Sequence, residues 1–166
     1  MLVMKLIETW VKAPFLQKAS LLIVGQCVEA AYPEVFEEFR KARVVLTSCP
    51  EMENAAPLTG KLASMLICSN MKDLAVLTID GSPHCFTLHA AVNEALFIAK
   101  TNTPTRHFVI VGNKAREVSA ESVRVGRYLH LAQKCIEKCP EILEELGRLS
   151  LEHRAFKSIS KAPSSN

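Results

Sequence analysis

The sequence predicts an α/β fold, a three-layer domain around a mostly parallel sheet of four or five strands. Three observations carry that expectation. Apolar runs at about 21–27, 43–48, 74–80 and 107–112 are short, nearly continuous and rich in Val, Ile and Leu, as strands buried on both faces read. Stretches with helical spacing separate them, at about 31–41, 56–69, 85–100 and 119–139. The connections are short, so strand, helix and strand form βαβ units with right-handed crossovers.

Each element has a local reason. Residues 2–7 are apolar and precede a turn at Pro14, which suits an edge strand. Gly81-Ser82-Pro83 is turn chemistry, and apolar residues then recur at Leu88, Val92, Ala95 and Ala99, so a helix begins near Cys85. Ser119, with Glu121 and Ser122 behind it, caps a helix that continues almost to Phe156. Pro140 removes a helix hydrogen bond and biases Cys139 away from the helical region, so this long C-terminal helix should kink or restart there. Beyond the kink Ile142, Leu146, Leu149, His153 and Phe156 keep a three-to-four spacing. That stripe needs cover, either from the domain itself or from a second copy in a homodimer. Residues 1–157 are expected to form one domain with this helical extension, and 158–166 a tail with almost nothing to bury.

Composition bounds the class. A chain of 166 residues, 49% apolar and 22% charged, is long enough to bury a real core. Its net charge of +3 is small, and the basic residues are scattered among acids, which leaves no electrostatic footprint for nucleic acid. No apolar run approaches the ~20 residues that a membrane helix requires. The apolar start at 1–7 is short and lacks an Ala-x-Ala-like cleavage site, so a cytoplasmic location is expected, with reduced thiols.

Six cysteines in such a chain are more readily metal ligands or redox groups than structural bridges. No Cys-x-x-Cys pair occurs, which argues against a zinc ribbon, a thioredoxin-type centre and the cysteine runs of a ferredoxin. Position is the informative property. Cys27, Cys49 and Cys85 each fall where a strand runs out, and in open α/β sheets the carboxyl ends of the strands form the ligand edge. Cys85 is also at a helix start, where free N–H groups and the helix dipole favour an anionic sulfur. His84 adjoins it and His89 follows one turn later, so each is a candidate ligand, base or packed bystander. Together they make a Cys₃His-type set suited to zinc or to an iron–sulfur cluster. Against this stands the plainer possibility of three separate core thiols, cysteine being commonly buried.

The remaining cysteines point to packing. Cys135 and Cys139 share a helix face with Leu131 and Ile142, and Cys68 ends the run Met65-Leu66-Ile67. Several enzyme signatures are missing. A cysteine phosphatase loop needs Arg six residues after its nucleophile, and those positions are Pro33, Ala55 and Ala91. The layering expected is Rossmann-like, yet the first turn reads Gly25-Gln26-Cys27-Val28-Glu29-Ala30 without the glycine fingerprint for dinucleotides, and neither a P-loop nor a Gly-x-Ser-x-Gly elbow occurs. Glu51 and Glu53, after Cys49, are candidates for supporting carboxylates.

Several segments of the chain match a known pattern in order and spacing. They are Ala13-Pro14-Phe15-Leu16 with the strand after it, then Cys27-Val28 with Ala31-Tyr32-Pro33, then Cys49-Pro50, then Pro83-His84-Cys85. Over roughly residues 3–100 the sequence resembles the α/β domain that follows the two-cluster module in 4Fe-4S ferredoxin-type iron–sulfur-binding proteins of anaerobes. The resemblance leads to the expectation of that domain without the ferredoxin module. Where that family usually reads Val-Pro-Cys-Cys, this chain has Ser82-Pro83-His84-Cys85, so an imidazole replaces one thiol.

The resemblance, with the converging thiols, implies a redox accessory protein. It would hold an iron–sulfur cluster, or alternatively zinc, through Cys27, Cys49 and Cys85 with His84 as fourth ligand. It would exchange electrons with a ferredoxin or an oxidoreductase subunit. Two alternatives remain open: a thiol enzyme for sulfur transfer or disulfide exchange using Cys85, and a non-catalytic interaction subunit.

Overall fold

The structure is a computed structural model and describes residues 3–159. Two compact units divide the chain, one running through Val123 and one starting at Arg124.

The first unit is built on a six-stranded sheet. Its strands are β1 (Val3–Lys5), β2 (Ser20–Gly25), β3 (Val44–Ser48), β4 (Asp73–Ile79), β5 (Thr105–Val111) and β6 (Lys114–Val118). They lie in the order β1-β3-β2-β4-β5-β6. All neighbours pair in parallel except β5 and β6. The helices of this unit are α1 (Val28–Ala31), α2 (Pro33–Phe39), α3 (Ala55–Ser69) and α4 (Pro83–Ala99). The expected α/β class and the four internal runs are all present.

Alternation along the strands divides the core between the two faces of the sheet. Leu21, Ile23, Leu46, Leu74 and Val76 pack with Leu58, Leu62 and Leu66 of α3 and Leu88 and Val92 of α4. Leu22, Val24, Val45, Ala75 and Leu77 point the other way, onto Val28, Val35 and Phe36 of α1 and α2. This gives three layers. The crossover rule explains the division. From β2 to β3 the chain steps one way along the sheet, and from β3 to β4 it steps back past β2. Keeping the same hand, its connecting helices must change face. Each fully buried Leu or Ile contributes about 1.5–3 kcal/mol through removal from water.

Two expectations need correction. The sheet has six strands rather than four or five, because a hairpin adds β6 antiparallel to β5. Gly112, with φ of +62°, opens a two-residue turn that sends β6 back along β5. Glycine is needed there because the first central residue of such a turn takes a positive φ. Gly112-Asn113 was the available signal, obscured because β6 is polar and largely exposed.

The long C-terminal helix is not continuous either. It is four helices: α5 (Ala120–Arg127), α6 (Leu129–Lys138), α7 (Ile142–Leu149) and α8 (Leu151–Ile159). Ser119 does cap the first, its Oγ accepting from the Ser122 N–H at 3.1 Å. The expected break is present, with Cys139 outside the helical region ahead of Pro140. Two further breaks are local competitions. Tyr128, just after Gly126, leaves the helical region. Ser150 is extended, and its Oγ accepts from the His153 N–H at 3.1 Å, so it starts a helix rather than continuing one.

In the unit that begins at Arg124, α7 packs on α8. No residue of α6 or α7 is buried, and Ile142, Leu146, Leu149 and Phe156 are exposed. The packed stripe expected at Cys135 and Cys139 is therefore not formed, Cys135 being exposed and Cys139 half-buried. Beyond Ile159 the expected tail lies outside the described residues.

Candidate functional site

The strand order decides where a site can form. Because β2 lies between β3 and β4, the chain leaves β2 in one direction and returns across it in the other. The carboxyl ends of β2 and β4 thus flank a topological switch point, the usual ligand crevice of an open α/β sheet. A cavity of about 110 Å³ sits there, with room for several waters or one compact guest. Gly25, Gln26, Ser48 and Ile79 line it from the strand ends, joined by Cys27, Cys49, Cys85 and His84.

All four residues singled out from the sequence thus face one cavity, each for a local reason. Cys27 is the N-cap residue of α1, two positions beyond β2, and is exposed. Cys49 follows β3 directly and is half-buried. Cys85 is the third residue of α4, whose start is set by Ser82 as N-cap and Pro83 as first residue. The Cys85 N–H donates to Ser82 Oγ at 3.4 Å. Gly25 brings backbone close to the sulfur, since a Cβ there would lie 3.8 Å from Cys85 Sγ.

Besides the thiols, the cavity's polar lining is Gln26, Ser48, Ser82, His84 and one carboxylate, Glu51. Ser48 Oγ donates to Glu53 Oε2 at 2.8 Å, and Glu51 Oε2 lies 3.6 Å from His84 Nδ1. No lysine or arginine lines the cavity. That balance opposes the phosphates of a nucleotide, in keeping with the missing glycine fingerprint.

His89 does not belong to this set. It is 3% exposed, and its ring reaches down to the sheet, with Nε2 2.8 Å from Thr78 Oγ1 and Nδ1 2.8 Å from His107 Nδ1. Burial, and then the neighbouring His107, push its pKa down to about 3. His107 is 18 positions from His89, so no local sequence pattern links the two. Cys68 and Cys135 do not line the cavity. Nor does Cys139, whose thiol is raised by its hydrogen bond to the Glu141 carboxylate.

As placed, no three His, Cys, Asp or Glu side chains among the described residues are grouped to hold a single metal ion. A mononuclear site draws thiolates to ~2.3 Å from one point. Three thiols spaced around a cavity instead suit a guest with several attachment points.

The chain belongs to a family of Rossmann-like domains, whose model matches residues 13–163. Neither a curated protein nor a solved structure matches it. Among the described residues, no helix is long and apolar enough to cross a membrane.

Proposed function

We propose that this protein is a redox accessory protein whose switch-point cavity takes an iron–sulfur cluster, with Cys27, Cys49 and Cys85 as thiolate ligands and His84 as the fourth. The observation that carries this reading is the convergence of those four residues on one cavity. The protein ligands of a cluster are divided among its irons, one to each in a [4Fe–4S] cube, so they ring a cavity rather than meet at a point. Zinc, the alternative guest, would require the thiols to close in on one ion. Glu51, beside His84 Nδ1, suits a ligating imidazole, whose other nitrogen is commonly oriented by a carboxylate. The chain's likeness to the α/β domain of 4Fe-4S ferredoxin-type proteins points the same way. A bound cluster would supply one-electron chemistry, for exchange with a ferredoxin or an oxidoreductase subunit.

Anaerobic purification, a visible spectrum and analysis for iron, zinc and acid-labile sulfide test the proposal. Iron and sulfide with charge-transfer absorption are expected, and Cys27→Ala, Cys49→Ala and Cys85→Ala should each lose them. Zinc without sulfide would replace redox work with a structural or Lewis-acid site. Protein that stays colourless and metal-free after anaerobic reconstitution with iron and sulfide would overturn the reading.

A second reading, thiol chemistry at Cys85, is favoured by one contact. The His84–Glu51 pair next to Cys85 resembles a base with its orienting carboxylate. It predicts selective alkylation of Cys85 in metal-free protein, abolished by Cys85→Ser.

A further inference from the structure

The edge of the sheet opposite the cavity carries a surface that the proposed function does not use. Because β2 to β5 are parallel, the segments that enter them share one edge and those that leave them share the other. The entering segments, 17–19, 40–43, 70–72 and 100–104, carry Lys18, Arg40, Lys41, Arg43, Lys72 and Lys100 and no carboxylate. The segments leaving β2, β3 and β4, at 26–27, 49–54 and 80–82, carry Glu51, Glu53 and Asp80 and neither lysine nor arginine. Along the chain the two signs alternate, and only the parallel sheet sorts them. Arg40 and Arg43 are paired with Glu37 and Asp73. Lys18, Lys72 and Lys100 are exposed and enter no salt bridge among the described residues.

Helix C-termini attract lysines in any α/β domain, so the charge alone would decide nothing. The side chains set among it decide more. Among the described residues of the first unit, seven large apolar side chains are exposed. Five of them, Trp10, Phe15, Ile67, Phe97 and Ile98, belong to segments that end at this edge. Hydrogen bonds stitch those segments together. Ser69 Oγ, at the end of α3, donates to the Val11 carbonyl at 3.3 Å, and Gln17 Nε2 donates to the Cys68 carbonyl at 3.1 Å. The Lys18 N–H donates to the Ser69 carbonyl at 3.0 Å. α4 packs along α3 and ends beside it, with Phe97 82% exposed and Ile67 65%. An exposed apolar cluster rimmed by charge marks an interaction surface. Lys18 and Lys100 also hold left-handed backbone, with φ of +53° and +49°, which glycine or asparagine adopts more readily.

We propose that this edge docks on an anionic membrane surface, with Trp10, Ile67 and Phe97 entering the head-group layer and Lys18, Lys72 and Lys100 lying against the lipid phosphates. Lysines near an anionic leaflet and tryptophan at the head-group level are what such a surface selects. Nucleic acid fits less well. It is gripped by aromatic faces and arginine forks, whereas Ile67 and Ile98 are aliphatic and the arginines of this edge already hold carboxylates. The apolar tips come from three separate segments, which a head-group layer accepts without demanding a shaped groove. The sorted charge also sets orientation. The same lipid surface repels Glu51, Glu53 and Asp80, so the cavity faces away from it and stays open to a partner. The docking does not depend on what the cavity binds.

The test uses the full metal-free chain, so that its outcome is separate from that of the cluster proposal. The chain is floated with vesicles of phosphatidylcholine alone and of an equal mixture with phosphatidylglycerol, at low and at high salt. Binding to the mixed vesicles is expected, weakened by salt and far stronger than to phosphatidylcholine alone. Trp10 is the single tryptophan of the chain, so its emission should shift to the blue and be quenched by brominated lipid. Lys18→Asn with Lys100→Asn removes two charges at backbone positions that asparagine suits, and should weaken binding by about thirtyfold. Phe97→Ser, at an exposed site, should weaken it by about tenfold and leave the salt dependence unchanged. Vesicle binding unchanged in both variants, or Trp10 emission unmoved by the mixed vesicles, would overturn the proposal. So would tighter binding to single-stranded DNA or to polyglutamate than to the mixed vesicles, which would assign the edge to nucleic acid or to an acidic protein.

Discussion

The two edges of the sheet are chemically opposite. At the amino ends of the strands, Asp73 of β4 is saturated with partners. Ser20 Oγ donates to it at 2.5 Å and Arg43 Nη1 at 2.6 Å, and the same guanidinium nitrogen also reaches the Leu21 carbonyl. Burial opposes ionisation of Asp73, but the Ser20 and Arg43 hydrogen bonds outweigh it and hold the carboxyl below its ordinary value. At the carboxyl ends three thiols and an imidazole surround an open cavity. At one edge the strands spend their polar groups on themselves, and at the other they leave them available. In one sheet, strand stability and cavity binding are thus assigned to opposite ends.

Substitutions at each edge break or sharpen that contrast. The largest effect belongs to Cys85→Ala at the open edge. It should abolish iron and sulfide loading while moving the urea-unfolding free energy by no more than about 1–2 kcal/mol, because a half-buried sulfur packs little. Unfolding of the variant before loading can be assayed would erase the contrast.

Arg43→Ala at the closed edge should do the reverse, costing about 1.5–3 kcal/mol of stability at pH 7 with loading unchanged. Its pH dependence has a definite sign. A depressed carboxyl contributes stability that is present above its unfolded value of 3.8 and is lost as pH falls through the lower folded value. The gap between native chain and variant should therefore be constant above about pH 5 and shrink below pH 4. A gap that widens in acid would remove the Asp73 account.

Ser82→Ala takes the cap from α4 and should cost about 0.5–1 kcal/mol, together with faster Cys85 labelling. Smallest is Gly25→Ala. The new methyl meets Val28 Cγ2 at 3.6 Å and Cys85 Sγ at 3.8 Å, ordinary contact distances. Stability should change by no more than about 0.5 kcal/mol, while Cys85 labelling slows because the methyl narrows the cavity. A large loss of stability would mean that the strand end is packed more tightly than these distances allow.

Much of this was legible beforehand, for identifiable reasons. The runs that became β2, β3 and β4 could be read because continuous Val, Ile and Leu mark strands covered on both faces. Ser82 and Ser119 act as caps with their own neighbours, so both helix starts could be placed. The placement of Cys27, Cys49 and Cys85 at strand ends follows from those local readings alone. The hairpin partner β6 and the breaks at Tyr128 and Ser150 were obscured. A polar edge strand has no apolar pattern, and a serine inside an apolar stripe gives no sign whether it will cap or continue a helix.

By itself, then, the sequence determined the class of fold, the kind of residue at each strand end and the absence of a nucleotide fingerprint, all properties of a few neighbouring positions. Only the tertiary structure decided that β2 lies between β3 and β4, which brings residues as distant as Cys27 and Cys85 to one cavity. It also separated two histidines of one helix, leaving His84 on the rim and turning His89 onto His107. Strand order is chosen by long-range pairing and crossover handedness, and a side chain's direction by which face of its helix the sheet covers. Neither is written in the residues beside it.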